Sequence, residues 1–433
     1  MAGRLVNALG AAARTADAFS DAATLRHMLR FESALTHAAA QAGLVPKKVP
    51  QIVDQCLDPA LYDPPALAEA ARRTATLTVP LVKALTAEVK KRDAEAAAYV
   101  HWGATSQDVL DTAMVLQLGE AVPPLLKDLQ GIVDAFARLA KKHRTTPMLG
   151  RTLLQPATPL ALGQKIAGWA SDIDRATRRL EASFDETQIM QFGGASGSLS
   201  ALGKKAEKVM TVLARRLDLA LPPGPWFTQR ARIAALAQDC ALTVGALAKA
   251  ARDISLMMQI EVGEAAEPSG AGRGGSSTMP HKRNPVGAAL VLAAHQRAPM
   301  LAATVTAAMA QEHERALGGW QAEWPTIAAL VETLGSAVEA MAEVSAGLTV
   351  DEDSLQANMD ATEAAVLAER ATFLLAAKMG KEKAGALVEK ALAKGGSFVK
   401  ALGQLEKELA DEAALLGYSP KFVDRLLADL RKK

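Results

Sequence analysis

The 433-residue sequence is poor in cysteine and in aromatic residues: it has two cysteines, Cys56 and Cys240, and 4% Phe, Trp and Tyr. Two cysteines this far apart provide neither a disulfide framework nor the CxxC or Cys/His spacing of a metal site. A reducing compartment fits this pattern, and we expect a cytoplasmic protein. Abundant alanine and leucine beside so few aromatics favour close-packed helices over sheets.

The sequence also lacks an excess of charge of either sign. Its 49 Lys and Arg residues nearly balance 47 Asp and Glu residues, for a net charge of +2. This balance gives no general electrostatic attraction to nucleic acid or to an anionic membrane, so any basic site must be local. No uncharged run approaches the roughly 18 residues of a membrane span. The start of the chain lacks an apolar region long enough for secretion. We therefore expect no nucleic-acid or membrane partner.

Apolar residues recur at helical spacing along most of the chain. The first clear helix is predicted from Asp21 to Ala42, and Gly43 and Pro46 mark its end. Thr105 and Asp108 are three residues apart, as in a capping box, and a long helical stretch follows them, with a break expected at Pro123 and Pro124. Further long helical segments are predicted at 156–190, 228–264, 285–313 and 325–348. Five long helices separated by short breaks predict a helix bundle.

The regions on either side of the long helices differ from them in composition. Residues 44–80 are rich in proline and carry only short helical pieces, and residues 347–359 change to polar turn residues. No stretch alternates strongly enough to require a sheet. We predict an all-α protein with three domains: an N-terminal helical domain at 1–107, a central long-helix bundle at 108–350 and a small helical domain at 351–433.

The segment GRGGSSTMPHKRNP, residues 272–285, interrupts this helical pattern. Glycines let backbone N–H groups approach an anion, and Ser276, Ser277, Lys282 and Asn284 add side-chain donors. Asn284 before Pro285 is typical of a helix N-cap, which would direct a helix N-terminus at the same anion. An ordinary surface loop with a helix cap is the alternative.

The order GSSTMPHKRNP, residues 275–285, resembles the signature of the fumarase/aspartase superfamily. TSQD at 105–108 and GRTLLQ at 150–155 resemble its two other characteristic segments. The resemblance implies a homotetramer built on a central bundle of long helices, with each active site shared by three subunits. It also implies Ser276 as the catalytic base, Lys282 and Asn284 as the residues that hold a substrate carboxylate, and no metal or cofactor.

One position departs from the amine-releasing members of this superfamily. Adenylosuccinate and argininosuccinate lyases resemble the chain at the second segment but have an active-site histidine where this sequence has Leu153. An amine leaving group needs a positioned acid, whereas a carboxylate leaves or adds without one near neutral pH. Leu153 therefore favours addition of a carboxylate. His101 as a replacement acid is the alternative.

The stretch HERALGGWQAEW, residues 313–324, resembles the 3-carboxy-cis,cis-muconate cycloisomerases, as do HWGATSQD and QFGGASGS at 191–198. These enzymes lactonize a conjugated tricarboxylate in the protocatechuate branch of the β-ketoadipate pathway. A small polycarboxylate is then the expected substrate. The resemblance implies a binding set of His101, Thr105, Ser106, Thr152, Gln155, Ser277 and Arg315. Gln155 and Arg315 could instead serve a helix contact between subunits, and His101 could be a buried, hydrogen-bonded histidine. Trp320 and Trp324, four apart, are expected to pack in the core.

Two other functions remain open at this point. An adenylosuccinate-type lyase would release fumarate, and the missing histidine argues against it. A non-catalytic relative, as lens crystallins of this superfamily are, is disfavoured because Ser276, Lys282 and Asn284 are all present. QFGGASGS lacks the GxGxxG order and follows no predicted strand, so we do not expect it to bind a nucleotide.

Overall fold

The structure, a computed structural model, describes residue 10 and residues 12–270, 274, 282–393, 398–405, 409 and 415–430. Helices dominate these residues, as predicted. In chain order they are α1 (Ala13–Ala18), α2 (Asp21–Gln41), α3 (Val49–Asp54), α4 (Pro64–Thr74), α5 (Thr78–Arg92), α6 (Ser106–Lys142), α7 (Leu162–Thr187), α8 (Ala206–Leu217), α9 (Ala231–Met257), α10 (Val286–Ala307), α11 (Gly319–Gly347), α12 (Glu352–Asp360), α13 (Ala368–Met379), α14 (Lys381–Ala393), α15 (Phe398–Ala401) and α16 (Ser419–Asp429).

Helix α2 shows how the apolar pattern produces the fold. The Ser20 hydroxyl accepts from the amide of Ala23 and so caps its N-terminus. Five positions at helical spacing are at most 3% exposed, and they pack with α3, α5 and α8 in one hydrophobic core: Leu25, Met28, Leu29, Leu35 and Ala39. The predicted helix and its buried face are both confirmed.

Five long helices, α6, α7, α9, α10 and α11, correspond to the predicted long segments. The predicted break at Pro123 and Pro124 is wrong, because both lie inside α6. A proline within a helix costs about 3 kcal/mol through the lost hydrogen bond and the clash with the preceding turn. The neighbouring Val122 and Leu125 are buried, and we attribute the continuity of the helix to this packing.

Short strands are the main departure from the predicted all-helical pattern. Strand β1 (Pro147–Thr152) pairs antiparallel with β2 (Gln155–Ala161), so the chain forms a hairpin where a helix was predicted to begin at residue 156. A second pair joins β3 (Ala265–Ala266) to β4 (Thr349–Val350). Both pairs are small beside the helices, and the all-α class is confirmed.

Two compact units are defined by the contacts within the chain. The first contains the described residues up to Lys127 together with Ala176–Gly245 and Ala293–Glu339. The second contains Asp128–Arg175, Ala246–Leu292 and the described residues from Ala340 onward. The division into three domains at 107 and 350 stays a prediction.

Helices α6 and α9 are long and apolar enough to cross a membrane by length and composition. Within the protein, however, 67% and 72% of their most apolar windows are buried against other residues. This burial is typical of core helices in a soluble protein.

Candidate active site

The end of the signature segment borders an open cavity in the second unit. The cavity has a volume of about 990 Å³, and Lys282, Arg283 and residues 349–353 are among the residues that line it. Lys282 is exposed and Asn284 is half-buried. The amide of Asn284 donates to the carbonyl of Gly274, 2.9 Å away, which joins these two positions of the segment. Ser276 and Ser277 lie outside the described residues.

A glutamate caps α10, where the sequence had predicted that Asn284 would. The helix begins at Val286, and the buried carboxylate of Glu267 accepts from the amides of Gly287 at 2.9 Å and Ala288 at 2.7 Å. A carboxylate is a favourable partner for free amides at the positive end of a helix dipole. These two amides are therefore occupied by Glu267 and are not available to a substrate anion.

The second segment forms the tip of the hairpin between β1 and β2. Thr152 and Gln155 are paired across the turn, and both are exposed. The turn residues Leu153 and Leu154 have φ angles of 51° and 66°, a left-handed conformation that is unusual for leucine. Their exposed fractions are 96% and 75%. An apolar, strained turn that is exposed in the single chain is typical of a functional or interface element.

An ion pair with a buried carboxylate anchors this hairpin next to its tip. Arg151 donates two hydrogen bonds to the carboxylate of Glu264, at 2.9 and 2.6 Å, and Glu264 is fully buried. The side-chain amide of Asn358 donates to the same carboxylate at 2.9 Å. A bidentate pair of this kind has a defined geometry, so it ties β1 to the segment before the signature loop and to α12.

The first segment forms the start of α6. The Thr105 amide donates to the Asp108 carboxylate at 2.9 Å, which confirms the predicted interaction between these residues. Asp108 also accepts from the amides of Gly193 and Gly194 and from the Gln191 side chain. Burial raises the pKa of Asp108 to about 7, although the four donors act to lower it. Asp108 thus fixes residues 191–194 against the start of the first segment.

His101 precedes this helix in a tight turn. Its Nδ1 lies 2.6 Å from Oε1 of Glu32, a residue of α2 with a side-chain exposure of 1%. Burial lowers the pKa of His101, but the charge and hydrogen bond of Glu32, with the charge of Asp108, outweigh it, so the pKa lies above its ordinary value of 6.5. The contact with Glu32 therefore favours the protonated form of His101 near the first segment.

Arg315 contacts both the first segment and the QFGGASGS stretch. Its Nε donates to Oε1 of Gln107 at 3.4 Å, and its Nη2 donates to the carbonyl of Ala195 at 3.1 Å. The guanidinium lies over the ring of Phe227, 5.0 Å from the centroid. Arg315 is half-buried, so these contacts orient a cation that still reaches solvent.

A buried polar network lies behind Arg315. Arg230 is fully buried and forms ion pairs with Asp111 and Glu323. The indole of Trp320 donates to Asp111 at 3.0 Å, and Gln107 donates to the same carboxylate at 3.0 Å. This network explains the GGWQAEW stretch, because its tryptophan and glutamate bind charged groups of the core. Trp320 and Trp324 also contact each other edge to face, with centroids 4.6 Å apart, as the spacing predicted.

Each of the two compact units contains some of the predicted site residues. The first unit carries His101, Thr105, Ser106 and Arg315, and the second carries Thr152, Gln155, Lys282 and Asn284. Among the described residues, no three His, Cys, Asp or Glu side chains are placed to hold a metal ion.

Glu32, Glu264 and the Arg230 network were not predicted from the sequence. For Glu32 a signal existed, since a charged residue sits within the apolar stripe of α2.

Comparison with known proteins places these segments in context. The family described as lyase matches residues 8–299. The chain is 46% identical over 430 residues to a 3-carboxy-cis,cis-muconate cycloisomerase of Bradyrhizobium diazoefficiens, covering 96% of this chain and 95% of that protein. It is 44% identical to the enzyme of the same name from Pseudomonas aeruginosa, covering 99% and 96%. The structure of a 3-carboxy-cis,cis-muconate lactonizing enzyme from Pseudomonas putida superposes with a TM-score of 0.92 at 41% identity, covering 98% of both chains.

Proposed function

Because the chain belongs to the lyase family of the fumarase/aspartase superfamily, we propose that it is a cycloisomerase that converts 3-carboxy-cis,cis-muconate to 4-carboxymuconolactone. The observation that carries the proposal is 44 to 46% identity, over nearly the full length, to relatives of that name. The reaction is an intramolecular addition in protocatechuate catabolism. One carboxylate oxygen bonds to a carbon of a double bond, and the adjacent carbon gains a proton.

The signature segment supplies the groups that this addition needs. As the carbon–oxygen bond forms, negative charge builds up on the carbon beside another carboxylate. Lys282 and Asn284 bind that carboxylate and stabilise the intermediate, since preorganised donors are most effective where charge develops. Ser276, directly or through a water molecule, delivers the proton and is the acid in this direction. Lys282 lies on the cavity wall, where an anion can reach it.

Leu153 is consistent with a carboxylate as the reacting group. Its side chain cannot transfer a proton, and it occupies the tip of the hairpin where amine-releasing relatives have their histidine. Its exposed fraction of 96% leaves it free to contact substrate or another subunit. A carboxylate is ionised near neutral pH and adds without a base, so no histidine is required at this position.

The remaining predicted residues bind and orient the three carboxylates. We assign this role to His101, Thr105, Ser106, Thr152, Gln155, Ser277 and Arg315. His101 and Arg315 bring positive charge, and the others bring hydroxyl or amide donors. The contacts of Arg315 with Gln107 and Ala195 support its assignment, because they orient the guanidinium before substrate binds.

Assembly into a homotetramer, with active sites formed by three subunits, completes the proposal. Leu153 and Leu154 at the hairpin tip, Ile260 and Leu317 are 75 to 96% exposed in the single chain. Large apolar side chains of this exposure are typical of surfaces that another subunit covers. All four lie in or beside segments that carry site residues. The protein acts in the cytoplasm without a cofactor.

The loss of the conjugated diene tests this function. Purified protein should rapidly decrease the ultraviolet absorbance of 3-carboxy-cis,cis-muconate. Ser276→Ala should slow turnover by at least about a hundredfold, as loss of a group acting at the transition state does. Ser255→Ala, a helical serine whose hydroxyl bonds the carbonyl of Arg252, is the matched control and should retain activity. No absorbance change with the unaltered protein would refute the cycloisomerase, and release of fumarate from adenylosuccinate would favour the lyase reaction instead.

A further inference from the structure

Glu32 is a buried carboxylate in an apolar part of the first unit. It lies on the core face of α2 with 1% exposure of its side chain. Its Oε1 is 2.6 Å from Nδ1 of His101, whereas its Oε2 is buried and has no hydrogen-bond partner among the described residues. A buried carboxylate needs a hydrogen-bond or charge partner, and His101 is the one that the described residues provide for the Glu32 side chain.

The pair has the lowest electrostatic cost when it is neutral overall. A cationic His101 would compensate an ionised Glu32 across one short hydrogen bond, whereas an ionised Glu32 beside a neutral imidazole would be a buried, uncompensated charge. The charged groups that act on His101 are Glu32 from α2 and Asp108 from α6, and both favour the proton. The direction of its pKa shift agrees with this geometry.

The backbone also fixes the position of the ring. His101 has a φ of 60° and Gly103 a φ of 78°, both in the left-handed region. A Cβ at Gly103 would lie 2.7 Å from the Leu202 side chain, so the turn depends on glycine there. Glu32 holds Nδ1, and in the described part of the chain Nε2 of His101 has no hydrogen-bond partner. The side chain is 19% exposed, which leaves this second nitrogen available.

We infer that Glu32 is a positioning residue that keeps His101 as an imidazolium, with Nδ1 held by Glu32 and the Nε2 hydrogen free to bind a carboxylate of the substrate. This inference rests on the proposed function, since it assigns His101 to a polycarboxylate. A protonated His101 places a positive charge beside the hydroxyl groups of Thr105 and Ser106 in the first segment. Binding should then weaken as His101 loses its proton with rising pH.

The first test measures the pKa of His101 directly in the whole protein. The exchange rate of the imidazole C2 hydrogen, followed by peptide mass spectrometry across pH, reports each histidine separately. Glu32→Gln keeps an acceptor for Nδ1 but removes the charge, so the pKa of His101 should fall by about one unit or more. Glu32→Asp should preserve part of the elevation if both variants fold. His143, in the second unit, is the internal control. An unchanged pKa of His101 in Glu32→Gln overturns the inference.

The second test uses the pH dependence of kcat/KM for 3-carboxy-cis,cis-muconate. His101 binds substrate when protonated, so kcat/KM should fall as the pH rises through its pKa. In Glu32→Gln this fall should occur at a pH lower by the same amount as the pKa shift, and it should appear mainly in KM. Glu120→Gln is the matched control, because Glu120 contacts His27, 3.2 Å away, and should leave the profile unchanged.

The two tests separate the possible failures. A protein that does not turn over the muconate refutes the proposed function, while the exchange measurement still decides whether Glu32 controls His101. If the pKa of His101 shifts in Glu32→Gln but the pH profile of kcat/KM does not, His101 does not bind the substrate. That result would overturn the part of the inference that assigns His101 to a substrate carboxylate.

Discussion

Arg230 is the largest side chain that the structure buries completely, and it lies between the carboxylates of Asp111 and Glu323. Replacing it by methionine would fill much of the space but leave two buried carboxylates without a cation. Breaking a buried pair in this way costs about 3 to 5 kcal/mol. We predict that Arg230→Met lowers the free energy of unfolding by this amount in urea denaturation at a fixed protein concentration.

Arg73→Met is the control for this change, because Arg73 and Glu69 are 3.9 Å apart and 82% and 68% exposed. Exposed pairs contribute about 0 to 1 kcal/mol. Equal effects of the two substitutions would show that the Arg230 network does not stabilise the core.

At the scale of single residues, the sequence predicted contacts that are local. The Thr105–Asp108 interaction and the Trp320–Trp324 contact both follow from short spacings along a helix. Partners distant in sequence were not predicted, because Glu32 and His101 are 69 positions apart and helical periodicity relates only near neighbours. A charged residue in an apolar stripe shows that a partner exists, but not which residue it is.

Among the structural elements, the hairpin that carries Thr152 and Gln155 is held next to its tip by the ion pair of Arg151 and Glu264. Glu264→Gln would place an amide N–H against the guanidinium and remove a charge-assisted bond worth about 1.5 to 3 kcal/mol. We predict at least about tenfold faster amide hydrogen exchange in residues 147–161, with a higher KM.

Asp424→Asn is the matched control for the hairpin, because its pair with Arg144 lies in the same unit but is 52% and 40% exposed. It should leave both the exchange rates and KM unchanged. Unaltered exchange in Glu264→Gln would mean that this ion pair does not hold the hairpin.

The positions of the long helices could be predicted, with ends up to seven residues from the observed ones, because helical periodicity is a local property. The hairpin could not: residues 156–161, PATPLA, contain two prolines and no clear alternation, and their strand forms by pairing with residues 147–152. The continuity of α6 through Pro123 and Pro124 likewise depends on packing against other helices rather than on the local sequence.

For the whole molecule, we predict a mass of about four times the chain mass of 45.4 kDa in light scattering. The exposed apolar residues of the hairpin tip would then be covered by other subunits. A monomer at micromolar concentration would contradict the assembly.

Sharing of each active site between subunits has its own test. Ser276→Ala and the double variant Thr105→Val, Ser106→Ala should each be nearly inactive alone. If the two segments of one site come from different subunits, randomly mixed tetramers should recover about a quarter of the activity, because some sites receive both unaltered segments. No recovery on co-expression would place both segments of each site in the same subunit.

The central claim, addition of a carboxylate to a double bond, is tested most directly by product analysis in deuterated water. The protein is incubated with 3-carboxy-cis,cis-muconate in D₂O, and the product is followed by ¹H NMR. We predict 4-carboxymuconolactone carrying one deuterium on the carbon next to a carboxylate, delivered by an exchangeable group such as the Ser276 hydroxyl. Recovery of unchanged muconate, or a product without the new ring, would contradict the account.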